Sequence, residues 1–487
     1  MEKEYQFVEI IEEIGKSDRT QASRTTKVVC QYLMDYVKPF LPSASSRIYE
    51  FSADPNARPL GFFAPAPWEL TAGAVSFSSP ETTAVHLNHT ASPMLVATNS
   101  QAFVGNLQVC TSNHESLDGK LVLLTGPKEK LPEQLAAAVQ GNAAGVASAA
   151  FSKLIGQQEA RGRIELPPQS NLFAFSLTLS EQRHLSSALA AGPVDADVTI
   201  ETNHTGCVPV LEIRTHPESN KEILLCAHIC HLRPGANDNA SGVAVLCELL
   251  RIFGGSLPPV RLIFGPEFTG MSAYLAATGV QPIFVINVDM VGGNPDITGA
   301  KLELECSPPY LHHPLEDRII ELLRSSPELN CHVTEFKGYS DHAIFASKAI
   351  SAPAVMLGQT GDVYNHTDLD KLENLCTNQM AIICRLLAHF LIEAVPYYDI
   401  PSFPIPPEQT ENTWPFNIHS LLNVCDDATV KDIRSRFAKD KEIYALLQRA
   451  YLAAQWNQEP QSDPWAEDVI AKFRQTSELG YGGNHDK

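Results

Sequence analysis

Histidines and acidic residues follow several apolar segments of this chain, in an arrangement that suits a metal site. The segment INVDMVGG places Asp289 at the end of an apolar run, where an ionised carboxylate is costly unless a cation or hydrogen bonds hold it. LLCAHICHLRPGANDNASG runs from an apolar segment into His228 and then Asp238, and VYNHTDLD places His366 after another apolar run. Imidazoles and carboxylates are the groups that bind first-row metals. The pattern predicts a metallohydrolase.

Other candidate residues allow both a chemical and a structural interpretation. Glu267, in RLIFGPEFTG, would alone suit a surface turn, but beside the other candidates it is favoured as a metal ligand or general base. Asp238 precedes a predicted helix and could be a plain N-cap, although metal binding is favoured because His228 ends the preceding strand. For Asp341 and His342, in SDHAIF, a substrate-facing role and a structural role are equally favoured.

The elements that must position these residues alternate as strand and helix between 208 and 395. Apolar runs predict strands, and helical spacing predicts helices, at strands 209–216, 222–228, 260–265, 283–289 and 352–358 and helices 239–253, 269–278, 314–325 and 371–394. This alternation is typical of an α/β fold with a doubly wound, mostly parallel sheet. Ligands of such sheets bind beyond the carboxyl ends of the strands, which is where the candidates fall.

Changes in composition along the chain predict three domains. We expect residues 1–65 and 203–400 to form the catalytic domain, with two helices broken near Gly15–Arg19 at its start. Residues 66–202, with the strand KLVLL and the strictly alternating DADVTIETN, predict a separately folded α+β insert. A proline-rich linker at 401–409 precedes 410–487, where a small helical domain for capping or homo-oligomer formation is predicted.

Charge and composition argue against several classes of protein. The 487 residues carry a formal net charge of −20, which disfavours nucleic-acid partners. The acidic, amphipathic N-terminus lacks the features of a secretory signal, and no run approaches the roughly 20 apolar residues of a membrane span. Eleven scattered cysteines, an odd number, favour reduced thiols over a disulfide framework. We therefore expect a cytoplasmic protein without nucleic-acid or membrane partners.

Five motifs, in order along the chain, resemble those of the co-catalytic zinc exopeptidases: AHICH, GANDNASGVAVLCELL, INVDMVGG, SDHAIF and NHTDLD. That superfamily includes leucine-type aminopeptidases, glutamate carboxypeptidase and glutaminyl cyclase. HICH followed by ANDN, SG and a PE–TG segment is most similar to its aminopeptidase-like branch. The resemblance covers about 1–60 and 205–395. The insert at 66–202 more weakly resembles a protease-associated domain, through GKLVLL and the Ala/Gly-rich segment after it.

The resemblance implies one or two zinc ions held by three carboxylates and two imidazoles. Asp238 would bridge both ions. His228 and Asp289 would complete one site, whereas Glu267 and His366 would complete the other. A cis peptide bond between Asp238 and the following asparagine is also implied.

Two positions depart from the pattern of the superfamily. Cys230 stands where an aspartate usually orients the first imidazole, so His231 or an outside carboxylate would take over that task, or Cys230 would bind metal as a thiolate. Glu267 stands alone, whereas the superfamily has two adjacent glutamates, one acting as base and the other as ligand. The metal ligands are therefore better defined by the sequence than the acid–base chemistry.

The leading prediction is a zinc-dependent exopeptidase, most simply an aminopeptidase acting on peptides or small amides. Glu267 would be the base, with Cys230 beside the reacting groups, and Asp341 and His342 would contact substrate, the acid binding its free α-amine. One alternative is a zinc-dependent amide hydrolase or acyl-transfer cyclase acting on a specialised small molecule or peptide. The other is a non-catalytic peptide-binding scaffold.

Overall fold

The computed structural model describes residues 5–398, apart from 42–44, 63, 81, 127–129, 169, 309–310 and 348. Within these residues the chain forms an eight-stranded sheet, a seven-stranded sheet and a two-stranded hairpin. The eight-stranded sheet uses residues from before and after the seven-stranded one. The linker predicted at 401–409 and the helical domain predicted at 410–487 lie outside the described residues.

The two predicted N-terminal helices are present and are followed by an edge strand. They are α1 (Phe7–Gly15) and α2 (Arg24–Val37), and the strand is β1 (Ser45–Phe51). Apolar residues of α1 recur at helical spacing and form one buried face, which consists of Phe7, Ile10, Ile11 and Ile14. At the start of α2, the Ser23 hydroxyl accepts the backbone N–H of Thr26 at 3.2 Å, which satisfies one free N–H of the first turn.

The insert forms a sheet with its own apolar core. Its elements are β2 (Glu69–Ser79), β3 (Thr82–Asn88), β4 (Phe103–Thr111), β5 (Leu121–Leu124), α3 (Leu131–Gln140), β6 (Gly145–Ser148), β7 (Lys153–Ile155), β8 (Gln158–Ala160), β9 (Phe173–Ser176), α4 (Leu179–Ala191) and β10 (Val194–Asn203). The strand order is β3-β2-β10-β4-β5-β6-β9, and β7 pairs with β8 in the hairpin. Strand β10 alternates as its sequence predicts, with every second residue from Val194 to Ile200 buried.

The larger sheet continues after the insert with seven strands and six helices. They are β11 (Val208–Arg214), β12 (Ile223–His228), α5 (Gly242–Phe253), β13 (Val260–Gly265), α6 (Thr269–Thr278), β14 (Phe284–Asp289), α7 (Pro295–Thr298), β15 (Lys301–Glu305), α8 (Pro314–Arg324), β16 (His332–Thr334), α9 (His342–Ala346), β17 (Ala354–Thr360) and α10 (Thr377–Ala394). The strand order is β1-β11-β13-β12-β14-β17-β15-β16. Strands β13, β12, β14 and β17 run parallel at the centre, whereas β11 pairs antiparallel with β1 and β13, and β15 pairs antiparallel with β17. The fold is therefore a mixed α/β sheet with a parallel centre.

Both faces of the central strands are covered. In β12, Leu225 and Ala227 belong to one apolar cluster, which includes residues of α1, α2, α5, α8 and α10. Leu224 and Cys226 of the same strand belong to a second cluster with residues of α6 and α9. Burial on both faces explains why the central strands are continuously apolar in sequence rather than alternating.

Two helix boundaries differ from the predicted ones because a different local conformation precedes each helix. A π-helical turn at Ala236–Ser241 precedes α5, and a 3₁₀ turn at Leu372–Asn374 precedes α10. Further 3₁₀ turns lie at Lys38–Phe40, Pro59–Gly61, Gly254–Ser256, Pro327–Leu329 and Val395–Tyr397. The stretch Thr377–Tyr397 is, among the described residues, the one helix with the length and mean hydropathy (1.5) of a membrane span. However, 56% of that window is buried inside the fold, as is typical of a core helix.

Candidate metal centre

The five predicted metal ligands lie at one edge of the larger sheet, at the carboxyl ends of its central strands. His228 is the last residue of β12, and Asp289 is the last residue of β14. Glu267 follows β13, His366 follows β17, and Asp238 lies in the π-helical turn before α5. Parallel strands bring their carboxyl ends together, so side chains that are distant in sequence meet there.

His228, Glu267 and Asp289 form one group whose nearest donor atoms all lie within 4.8 Å of one another. The Nδ1 atom of His228 lies 3.2 Å from the carbonyl oxygen of Cys230, which can only accept, so Nδ1 carries the hydrogen. The other nitrogen, Nε2, then faces Asp238 Oδ1 at 3.2 Å and Asp289 Oδ1 at 3.3 Å. The imidazole is therefore held by the main chain and directed at two carboxylates.

Asp238, His366 and His231 form a second group of the same kind. The Oδ2 atom of Asp238 lies 3.1 Å from Nε2 of His366 and 3.3 Å from Nε2 of His231. Since the Oδ1 atom of Asp238 faces His228, the two oxygens of this carboxylate point to different groups. A carboxylate in that position can contact two cations at once.

This grouping differs from the division of ligands that the resemblance implied. Glu267 lies with His228 and Asp289 rather than with His366, and His231 lies where a carboxylate ligand was expected. The sequence assigned His231 only a role in orienting another imidazole. One feature of the sequence could have indicated a second ligand here: the two histidines of HICH lie three positions apart at the end of an apolar strand.

Cys230 contacts Glu267 and His228 but belongs to neither donor group. Its sulfur accepts the backbone N–H of Glu267 at 3.2 Å and lies 4.0 Å from Nδ1 of His228. The missing aspartate at this position is thus replaced by a main-chain contact, since the carbonyl of Cys230 rather than its side chain fixes His228. The structure gives the thiol a contact that positions Glu267.

The ANDN segment ties the loops of the site together through its asparagine side chains. Asn237 Oδ1 accepts the backbone N–H groups of Gly292 and Gly293, both at 2.9 Å. Asn239 Oδ1 accepts the N–H of Met290 at 3.0 Å, and the Asp238–Asn239 peptide bond is cis, as the resemblance implied. These contacts join the turn that carries Asp238 to the loop after Asp289.

The remaining substrate-binding candidates, Asp341 and His342, differ in where they point. Asp341 Oδ1 accepts the backbone N–H of Phe268 at 2.6 Å, beside Glu267. His342 is fully buried, and its Nε2 lies 2.7 Å from Oε1 of Glu305. The expectation that His342 faces substrate is therefore corrected: its side chain is occupied in the core beneath the site.

Burial and charge both favour a cation among these groups. Burial raises the pKa of Glu267 to about 8 and that of Asp341 to about 7, with further contributions from Asp289. Burial opposes protonation of His228, but the neighbouring carboxylates outweigh it and raise the pKa of His228 well above its ordinary value. Asp289 Oδ1 and His231 Nε2 are buried without a hydrogen-bond partner among the described residues. Unpartnered oxygen and nitrogen donors among repelling carboxylates fit a zinc site.

The insert contacts the loop that carries His366. The backbone N–H of Arg163 donates to the carbonyl of His366 at 2.8 Å, and the segment at 161–163 pairs antiparallel with 366–368. Lys153 Nζ donates to the carbonyl of Asn365 at 3.0 Å. Burial, together with the Arg163 charge, lowers the pKa of His366 to about 4. The insert therefore forms part of the surroundings of the second group.

Comparisons with known proteins identify relatives of this fold. Residues 210–391 match the sequence family described as Peptidase family M28. A zinc aminopeptidase from Bacillus subtilis superposes with a TM-score of 0.57 at 14% identity, covering 81% of this chain and 96% of that chain. A peptidase M28 precursor from Shewanella amazonensis gives 0.57 at 13% identity, covering 82% and 95%. At such identities the likeness shows a shared fold. No sequence among curated proteins matches this chain.

Proposed function

We propose that this protein is a zinc-dependent aminopeptidase, because residues 210–391 match Peptidase family M28. It removes N-terminal residues from peptides by hydrolysis. The observation that carries the proposal is the position of Asp238, whose two oxygens face His228 at 3.2 Å and His366 at 3.1 Å. The aminopeptidase from Bacillus subtilis, which shares the fold, supports the choice of reaction.

Four of the five ligands predicted from the sequence, His228, Asp238, Asp289 and His366, would hold zinc, and the fifth, Glu267, lies beside them. A zinc ion in such a site polarises the scissile carbonyl and makes a water easier to deprotonate. Asp238 and Asp289 lie 3.2 and 3.3 Å from Nε2 of His228, so their negative charge lies beside the nitrogen that would bind the metal. The two donor groups support two ions that share Asp238.

Glu267 acts as the acid–base residue. Its backbone is held by Cys230 Sγ and its turn by Asp341, so the carboxylate stays beside His228 and Asp289. The carboxylate takes a proton from the attacking water and later delivers it to the leaving amine nitrogen. Burial raises the pKa of Glu267 to about 8, and positive charge beside the carboxyl lowers this pKa toward the ionised form that a base requires.

The acidic residues beside Glu267 support a preference for a free α-amine. Asp341 is almost fully buried and lies beside Glu267, so the substrate's ammonium group meets carboxylates on more than one side.

We further propose that the insert is a protease-associated domain and that the protein acts in the cytoplasm. The ten cysteines that the structure describes are all free, which suits a reducing compartment.

The test is hydrolysis of a panel of aminoacyl amides and short peptides by the zinc-loaded protein, with N-acetylated peptides as matched controls. We expect release of N-terminal residues from the free peptides, loss of activity on chelation, and a fall in kcat of roughly 10²–10⁴-fold for Glu267→Gln. Release without preference for a free amine would contradict the aminopeptidase assignment. Products lighter by ammonia or water would instead indicate cyclisation, and a protein that takes up no zinc would be a scaffold.

A further inference from the structure

We propose that His231 is itself a metal ligand, which completes the second donor group in place of a glutamate and leaves Glu267 free for proton transfer. This inference rests on the proposed zinc site but not on the aminopeptidase reaction. It removes a conflict in the sequence, since the lone Glu267 would otherwise have to serve both as the base and as a ligand of the second ion. The geometry of His231 carries the argument.

Both the backbone and the ring of His231 are held in place by neighbouring residues. Its N–H and C=O pair with those of Arg19 at 2.9 and 2.8 Å, so the residue is joined to the segment before α2. The side chain is 3% exposed. Gly235 packs against the ring at a φ of +55°, and a Cβ there would lie 2.6 Å from Nδ1 of His231. The chain thus uses a glycine to bring its backbone against this imidazole.

The direction of the His231 ring follows from the hydrogen bond that its Nδ1 makes. Nδ1 lies 2.6 Å from the carbonyl oxygen of Leu232, which can only accept, so Nδ1 is the donor. Nε2 is buried and has no hydrogen-bond partner among the described residues, yet it lies 3.3 Å from Oδ2 of Asp238. An imidazole whose Nδ1–H is bound to a carbonyl and whose Nε2 faces the site is the usual arrangement of a metal-binding histidine.

His366 presents its Nε2 to the same carboxylate oxygen from the other side. That nitrogen lies 3.1 Å from Asp238 Oδ2, and the rings of His366 and His231 lie 5.8 Å apart at an interplanar angle of 30°. Two imidazoles and one carboxylate oxygen therefore converge, with donor atoms within 4.8 Å of one another. Nitrogen donors with a carboxylate suit Zn²⁺.

The group formed by Asp238, His366 and His231 does not include Glu267 and does not need it. The carboxylate of Glu267 lies with His228 and Asp289, in the other donor group. The contact from its backbone N–H to Cys230 Sγ fixes it there. The two donor groups consequently differ in chemistry: the one with His231 is rich in nitrogen, and the one with Glu267 is rich in carboxylate.

The experiment compares His231→Asn with His313→Asn in the full-length protein. Asparagine at 231 can still donate to Leu232 but is a poor zinc ligand. His313 is a buried histidine outside the site that caps α8 through its side chain, a task that asparagine also performs. Zinc per chain is measured by elemental analysis after dialysis against buffered zinc. We expect two ions in the wild type and in His313→Asn, and one ion in His231→Asn at a zinc concentration that saturates the wild type.

The strength of the effect separates a ligand from a residue that only positions another. Loss of an outer partner typically weakens metal binding by 10–100-fold, so we expect more than about 100-fold for His231→Asn at the second ion. X-ray absorption on the zinc-loaded wild type provides a measurement that does not depend on a variant folding. It should count three imidazoles for two ions.

Two imidazoles in that spectrum, or two tightly bound ions in His231→Asn, would overturn the proposal while leaving the aminopeptidase assignment intact. Conversely, three imidazoles in a protein that hydrolyses no peptide would support the role of His231 and overturn only the proposed reaction. A wild type that binds no zinc would overturn both.

Discussion

Asp370 shows how a single residue outside the donor groups can control their geometry. Its carboxylate accepts the backbone N–H of Asn237 at 2.7 Å and that of Asp238 at 3.0 Å. Burial raises the pKa of Asp370 to about 8, although the two backbone hydrogen bonds favour its ionised form. The turn that carries the shared ligand is therefore held by an acid that the sequence did not single out, because its partner atoms belong to the main chain.

We expect Asp370→Asn to weaken zinc binding by roughly 10–100-fold while the fold is retained. An amide cannot accept two N–H groups with two oxygens, so one backbone N–H beside Asp238 would lose its partner. Zinc affinity by competition with a chelator is the measurement. Asp296→Asn, at an exposed position, is the matched control and should bind zinc as the wild type does. An unchanged affinity in Asp370→Asn would show that the turn does not depend on this acid.

Arg19 joins helix α1 to the loop between β12 and α5. Its fully buried guanidinium donates to the carbonyl of Ile14 at 2.7 Å and to that of Ile229 at 2.8 Å. Burial lowers the pKa of Arg19 to about 10, partly offset by the charge of Asp18, so the group stays cationic at neutral pH. It therefore satisfies the end of α1 and fixes the strand end next to His228.

Replacing Arg19 should lower the free energy of unfolding far more than replacing an exposed arginine. Arg19→Met would leave buried carbonyls without donors, at about 1–3 kcal/mol each, and we expect the free energy of unfolding to fall by roughly 3 kcal/mol or more. Arg24, which pairs with Glu69 at 3.3 Å and whose side chain is 63% exposed, is the control. Arg24→Met should cost less than about 1 kcal/mol in the same urea titration. Equal losses would refute the role given to Arg19.

The elements themselves were largely predictable from the sequence, because period and length define them locally. Helix α6 spans the predicted 269–278, and the central strands coincide with their apolar runs. Strand β15, KLELE, was not predicted, because it has only five residues and its antiparallel pairing with β17 depends on tertiary contacts. The role of His231 was missed for a related reason: its direction is set by the left-handed Gly235 and by Arg19, neither of which a motif reveals.

Docking of the insert against the metal-bearing loop depends on a close approach at Gly162. A Cβ at this position would collide with the main-chain oxygen of Phe151, so any side chain would displace the segment that pairs with 366–368. Gly255 has no heavy atom within 4 Å of the same point and serves as the control.

We expect Gly162→Ala to cost about 1–3 kcal/mol of stability, as overpacking typically does. It should also speed amide hydrogen exchange at 363–368. Gly255→Ala should leave that exchange unchanged. Slow exchange at 363–368 in both variants would show that the loop of His366 does not rely on the insert.

At the scale of the whole molecule, Asp18 connects three parts of the chain. Its carboxylate lies 2.6 Å from Nε2 of His89, in the insert, and accepts the backbone N–H of Arg233, in the metal-bearing loop, at 2.7 Å. Burial alone would raise the pKa of Asp18, but the hydrogen bond and charge of His89, with those of Arg233, lower it to about 2. The ionised carboxylate therefore stabilises the assembled domains.

The stability that ionised Asp18 contributes should decrease as the pH falls. A folded pKa of about 2 against 3.8 for the free side chain corresponds to about 2 kcal/mol, present above pH 3.8 and lost as the pH falls through about 2. Asp18→Asn should thus lower the free energy of unfolding by about 2 kcal/mol from pH 7 to pH 4 and by progressively less below pH 4. Asp35→Asn, at an exposed position, should have little effect. A loss of stability in Asp18→Asn that grows as the pH falls would contradict this role of Asp18.

The convergence of the strand-end imidazoles and carboxylates around divalent cations underlies every functional proposal made for this protein. A crystal grown with zinc and measured at the zinc absorption edge tests it directly, because the anomalous signal locates the ions without reference to activity. We predict two peaks, one beside His228 and Asp289 and one beside His366, with Asp238 between them. A map with no peak among these side chains, or with zinc only elsewhere on the protein, would contradict the central claim.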